Sequence, residues 1–120
     1  MLASVRFYRD TLGFEMVTTS KPYASDGRFH WGLLRLNGVE LMLNTAYDEG
    51  DEPERPDPAR VAAHGDTMLF FGCPDVDAAY EHLVQKGIKV WPPTVAWYGM
   101  KQLNLTDPDG YGICFQWPSS

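Results

Sequence analysis

The sequence predicts an α+β fold made of two βαβββ modules, the first without its leading strand. Three observations predict it. The same order of elements, a helix followed by three strands, occurs on both sides of an acidic, proline-rich segment. Each helical pattern is closed by a glycine, Gly13 and Gly87, at the position where a helix C-terminus favours one. Each module ends in a pair of apolar runs separated by a strong turn signal, Asn37-Gly38 in the first and Asp107-Pro108-Asp109-Gly110 in the second.

In chain order, Leu2, Val5, Tyr8 (or Arg9) and Leu12 fall near helical spacing, so residues 2–12 read as a helix. Phe14 to Thr18 reads as a strand, and Phe29 to Leu36 with Val39 to Asn44 reads as a hairpin. The second module opens with the apolar run Thr67 to Phe71, a strand. Val76, Ala79, Tyr80, Leu83 and Val84 then mark a helix over 75–86. Ile88 to Trp91 is expected as the next strand, followed by Met100 to Thr106 and Tyr111 to Trp117. The organisation is a first module at 1–47, an acidic linker at 48–65 and a second module at 66–120. Two such halves form an internal duplication whose front strand would precede Met1.

The chain has 120 residues, with 10 Lys and Arg against 16 Asp and Glu and a net charge of −6. Six of the acids, Asp48, Glu49, Asp51, Glu52, Glu54 and Asp57, lie between Asp48 and Arg60 together with Pro53, Pro56 and Pro58. Like charges repel and proline removes backbone donors, so this stretch is expected to be a solvated connector. A nucleic-acid partner needs a basic patch, and the balance here runs the other way. No apolar run reaches the ~20 residues of a membrane span, and no signal peptide opens the chain. Two cysteines, Cys73 and Cys114, are too few for a disulfide framework, which points to a cytoplasmic protein.

A two-residue hairpin fixes register, and register fixes faces. With Asn37-Gly38 as the turn, Leu36 opposes Val39, Arg35 opposes Glu40, Leu34 opposes Leu41 and Leu33 opposes Met42. One face then carries Leu34, Leu36, Val39, Leu41 and Leu43, all aliphatic, as a helix-covered surface requires. The other carries Phe29, Trp31, Leu33, Arg35, Glu40, Met42 and Asn44, an aromatic and polar mixture suited to a ligand wall. The second module divides alike. Leu103, Leu105, Ile113, Phe115 and Trp117 form the apolar face. Met100, Gln102, Asn104, Gly112, Cys114 and Gln116 form the other, where solvent and a shared concave site are both open readings.

The segments SVRFYRDTLGFEMV, NGVELMLN, CPDVDAAYEHLVQKG and YGMKQLNLTDPDGYGICFQW resemble the vicinal oxygen chelate superfamily, which includes glyoxalase I, extradiol dioxygenases and bleomycin resistance proteins. The resemblance spans nearly the whole chain apart from the acidic linker. It implies sheets that curl into a cup, and a homodimer whose modules complete each other's cups. It also implies four metal-ligand positions. The fourth-strand carboxylate falls on Glu40, the fifth-strand position on Met68, the eighth-strand position on Cys114, and the first-strand position would precede Met1. A thioether is a weak, soft donor and a thiol must first ionise, so this set suits a hard divalent ion poorly. Arg35, directly opposite Glu40, offers that carboxylate a pairing role instead. His30, His64 and His82 do not restore the set: His82 lies in a helix, His30 at the start of a strand, and His64 near the rim.

The resemblance is closest to the bleomycin resistance branch, which implies metal-independent sequestration of a bulky, partly aromatic small molecule with no cofactor. Phe29, Trp31, Met42, Met68 and Phe70 would supply stacking and apolar contact, and Gln102, Asn104 and Gln116 hydrogen bonds. Arg35, Glu40 and Cys114 complete the expected lining, with Trp97 and Tyr98 at a rim. Two alternatives stay open: a metal-dependent lyase or dioxygenase of the same superfamily, and an interaction module whose cup is filled by its own side chains.

Overall fold

A computed structural model describes residues 1–119 and divides the chain into two units, Met1–Pro56 and the residues from Asp57 on. The boundary falls inside the acidic, proline-rich segment.

The first unit opens with α1 (Leu2–Arg6), which runs into a π-helical turn, Phe7–Thr11. The Leu12 N–H donates to the Phe7 carbonyl at 3.0 Å, an i→i+5 bond. Tyr8, not Arg9, is the buried member of the pair, standing edge-on to Phe7 and Phe14. Arg9 pairs with Asp10 in solvent. The strand β1 (Glu15–Thr19) starts one residue later than the pattern predicts, because the Phe14 N–H closes the helix by donating to the Tyr8 carbonyl at 2.9 Å.

Strands β2 (Trp31–Leu36) and β3 (Val39–Asn44) complete an antiparallel sheet in the order β1-β2-β3. Asn37 and Gly38 both have positive φ, 49° and 84°, the mirror-image turn that matches strand twist. The pairs Leu36–Val39, Arg35–Glu40, Leu34–Leu41 and Leu33–Met42 are those the turn predicts. Val17 bulges out of β1 between Met16 and Thr18. Leu34 is fully buried on the aliphatic face, and Val5, Tyr8 and Phe14 are the other buried apolar residues of this part of the chain.

The acidic segment is not wholly a solvated connector. Its end folds as α2 (Pro58–Ala63), with a 3-10 turn over His64–Asp66. Asp57 caps α2 by accepting from the Ala59 N–H at 3.0 Å, and Pro58 occupies the first turn, where its missing donor costs nothing. Glu52 folds back beside Arg28, 3.7 Å away, with only 18% of its side chain exposed.

The second unit continues with β4 (Met68–Gly72), α3 (Val76–Gln85), β5 (Thr94–Val95), β6 (Met100–Thr106) and β7 (Gly112–Pro118). Its sheet runs β4-β7-β6-β5, with β4 parallel to β7 and the other pairs antiparallel. Asp75 caps α3 through the Ala78 N–H, and Gly87 ends it at φ 78°. Val76 and Leu83 bury against Leu103 and Ile113 on one sheet face, and Lys101 of β6 reaches Asp77 of α3 at 2.5 Å.

The strand expected over Ile88 to Trp91 does not form; the paired residues are Thr94 and Val95. The turn Ala96–Gly99 sets this, with the Ala96 N–H donating to the Met100 carbonyl at 2.8 Å. Only the residues next to that turn reach β6, and Pro92-Pro93 offers no donors to extend the ladder.

Gly110 sits at φ 91° with α2 packed over it, and a Cβ there would collide with the Val61 carbonyl oxygen. Gly87 has a similar φ and open space around it. Urea denaturation should therefore separate them. Gly87→Ala should cost about 1 kcal/mol for the backbone alone. Gly110→Ala should cost at least about 2 kcal/mol, because α2 must also shift. Equal losses would contradict the seating of α2 on the β6–β7 turn.

Candidate functional site

The β6–β7 turn decides which side chains of the second unit share a surface. Asp107, buried, accepts from the N–H groups of Asp109 and Tyr111 at 2.9 Å each, and its own N–H donates to the Tyr111 carbonyl. This turn sets Thr106 opposite Gly112, Asn104 opposite Cys114 and Gln102 opposite Gln116. On the far side of β7, Met68 pairs with Gly112 and Phe70 with Cys114. Met68, Phe70, Cys114, Asn104, Gln102 and Gln116 therefore stand on one face of one sheet. All six were expected to line a site, and the sheet brings them together.

Their environments differ in a way that suits ligand contact. Phe70 is 56% exposed and Met68 44%, although a sheet core would bury both. Cys114, between Phe70 and Asn104 in its row, is fully buried. The Met68 side chain lies over Gly112, whose missing side chain leaves it room; a Cβ there would meet the Met68 methyl at 2.7 Å. Gln102 donates from its amide nitrogen to Gln116 Oε1 at 2.9 Å and to the Tyr98 hydroxyl at 2.7 Å. The amides that would be costly to bury alone thus satisfy one another while remaining half-exposed.

Tyr98 is the residue the strand pattern underplays. It lies in the turn before β6 and reaches back to Gln102, four residues on, while Trp97 beside it is 95% exposed. The signal in the sequence is the Gly99 turn, which folds Tyr98 back onto the start of β6; its φ is 87°. His64 is taken up structurally: its Nδ1 lies 2.6 Å from the Asp109 carbonyl oxygen, and its ring stacks on Tyr111 at 4.1 Å.

In the first unit, Trp31, Arg35, Glu40 and Met42 share a face, in the rows Trp31–Asn44, Leu33–Met42 and Arg35–Glu40. Glu15 of β1 extends the last row, so Arg35 stands between two carboxylates. Arg35 lies 3.5 Å from Glu40, both about half exposed. Phe29 does not join this face. The chain bends at His30, β2 begins only at Trp31, and Ser20 Oγ takes the N–H groups of both residues. The Phe29 ring consequently lies where a Gly32 side chain would project, 2.9 Å from that Cβ position, on the aliphatic side. His30 stacks on Tyr23 at 4.6 Å and faces Glu49 at 3.4 Å.

The donors at the family's metal positions do not fit a hard divalent ion. Glu40 is held by Arg35, Met68 offers only a thioether, and burial pushes the Cys114 thiol above its ordinary range, away from the thiolate a metal needs. Among the described residues no group of three or more His, Cys, Asp and Glu is placed to hold a metal ion. We derive no chemistry through one.

The family model of the Glyoxalase/Bleomycin resistance protein/Dioxygenase superfamily matches residues 1–115. Among solved structures, the chain is similar to TnmS3, an antibiotic binding protein from Streptomyces sp. CB03234. The identity is 25% over 98% of this chain and 86% of that one, with a TM-score of 0.65. A glyoxalase/bleomycin resistance protein from the same Streptomyces strain is 24% identical over 97% and 90% of the two chains, TM-score 0.61. TioX from Micromonospora sp. ML1 is 16% identical over 94% and 85%, TM-score 0.67. The curated proteins give no match. Among the described residues no helix is long and apolar enough to cross a membrane.

Burial raises the thiol pKa of both cysteines, and only Cys114 is fully inaccessible. At pH 8 a thiol-exchange reagent should label Cys73 first and Cys114 at least about tenfold more slowly, at the rate of unfolding. Labelling of Cys114 as fast as Cys73 would show its row to be open and its thiol ionised.

Proposed function

Because the chain belongs to the glyoxalase/bleomycin resistance protein/dioxygenase superfamily, we propose that it is a binding protein that sequesters a small, flat, partly aromatic molecule without chemical conversion. The observation that carries this reading is the exposed Phe70 and Met68 on the same sheet face as a self-satisfied pair of amides. Apolar side chains left open beside ordered polar groups are the composition of a small-molecule site. A flat ring can stack on Phe70 and slide against the Met68 thioether, while the amides orient its polar edge.

The similarity to TnmS3, an antibiotic binding protein, supports the same class of function. The residues also supply little chemistry for catalysis. Cys114, held protonated by burial, is a poor nucleophile. Trp31 and Met42, on the mixed face of the first unit, are proposed as a second apolar contact surface, with Arg35 and Glu40 as its polar part. We carry forward from the family resemblance the expectation of a cytoplasmic homodimer that needs no cofactor.

Titration with a panel of planar aromatic and glycopeptide antibiotics should give saturable quenching of tryptophan fluorescence for at least one compound. Phe70→Ala should weaken that binding about three- to tenfold, the loss of one aromatic contact, with the melting temperature little changed. Absence of quenching across the panel would contradict the reading. Protein loaded with nickel, zinc, manganese or iron and then desalted should retain less than about one tenth of an equivalent, the expectation for thioether and buried-thiol donors. Stoichiometric retention would favour the metal-dependent alternative. Light scattering should report twice the chain mass, and a monomer would remove the dimer.

A further inference from the structure

The hydrogen bonds among Tyr98, Gln102 and Gln116 have a direction, and the direction dictates what the face can recognise. Gln102 spends both amide N–H groups, one on the Tyr98 oxygen and one on Gln116 Oε1. Its own Oε1 is then left as an acceptor. Gln116, whose oxygen is occupied, is left with its amide N–H groups. Tyr98, whose oxygen accepts from Gln102, is left with its hydroxyl hydrogen. Read along the chain, the unspent groups are donor at Gln116, acceptor at Gln102 and donor at Tyr98.

We propose that these three side chains form an array of fixed polarity that selects a planar ligand carrying an acceptor–donor–acceptor edge, a cyclic imide or a ring system of the same pattern. The inference deepens the binding reading above and rests on it. Consecutive hydrogen-bonded atoms of 2.7 and 2.9 Å place the outer two groups a little over 5 Å apart when extended, close to the spacing of two carbonyl oxygens flanking an imide N–H. Gln102 and Gln116 are directly opposed on β6 and β7, and Gln116 lies in the row next to Cys114 and Phe70. A ring held at its edge by the amides would therefore meet the half-exposed Phe70 as its stacking partner. Direct hydrogen bonding discriminates strongly, since an analogue with a blocked donor leaves Gln102 Oε1 desolvated and unpaired.

The test uses the whole protein and three flat compounds. These are 1,8-naphthalimide, its N-methyl derivative, and 2,4-diaminoquinazoline at a pH where it is uncharged. The last presents donor–acceptor–donor. Naphthalimide should bind at least about tenfold more tightly than either, the factor expected for one lost and one orphaned hydrogen bond. Gln102→Glu supplies the second measurement. A carboxylate cannot donate, so Tyr98 and Gln116 must turn their hydrogens toward it, and the outward array becomes acceptors only. That variant should lose its preference for the imide and gain one for diaminoquinazoline, a reversal that a merely structural amide would not produce.

Equal binding of naphthalimide and its N-methyl derivative, or an unchanged preference in Gln102→Glu, would overturn the array while leaving a binding protein. Failure of all three compounds while members of the antibiotic panel bind would also overturn the array alone. Failure of the compounds and the panel together would overturn both readings.

Discussion

The carboxylate of Asp107 closes the turn between β6 and β7 by holding the N–H groups of Asp109 and Tyr111, and the surface chemistry of the second unit follows from that turn. Side chains alternate along a strand, so a slip of one residue would carry Gln102, Asn104, Cys114 and Gln116 to the side of α3 and bring Leu103 and Ile113 into solvent. The cost of exposing the fully buried Leu103 and Ile113 is what locks the register. The order of the amides is thus a consequence of packing on the opposite side of the sheet.

Polar and apolar groups coexist on the outward face because each has a partner or a reason to lack one. Gln102 and Gln116 satisfy each other, Cys114 is small and buried, and Met68 occupies the room that Gly112 leaves. Phe70 is the residue for which the chain itself provides no cover, and an exposed aromatic amid ordered amides is the mark of a surface that meets something else. The first unit repeats the division on a smaller scale. Leu34 is buried on one face, and Glu15, Arg35 and Glu40 form a charged row on the other.

Much of this is legible in the sequence because turn residues determine register locally. Asn37-Gly38 alone yields every pair in the β2–β3 hairpin, and Asp107 to Gly110 yields those of β6 and β7. What escapes the pattern lies where tertiary bonding overrides it. Phe29 has the parity of Trp31, yet Ser20 captures the backbone at His30 and sends the ring to the other face. Ile88 to Trp91 has strand composition, but the turn before β6 pairs Thr94 and Val95 in its place. The acidic segment hides α2, because prolines that break a helix interior also begin a helix when an aspartate precedes them. Tyr98 enters the amide chain through a turn, and alternation along strands says nothing about turns.

The central claim is that one sheet face of the second unit, and not the other, receives the ligand. Its most direct test is side-chain NMR during titration with a compound that quenches the tryptophan fluorescence. The Met68 methyl and the side-chain amides of Gln102, Asn104 and Gln116 should shift together and saturate at one concentration. The methyls of Leu103, Leu105 and Ile113, one alternation away on the same strands, should stay in place. Shifts confined to those methyls, with Met68 and the amides unmoved, would contradict the account.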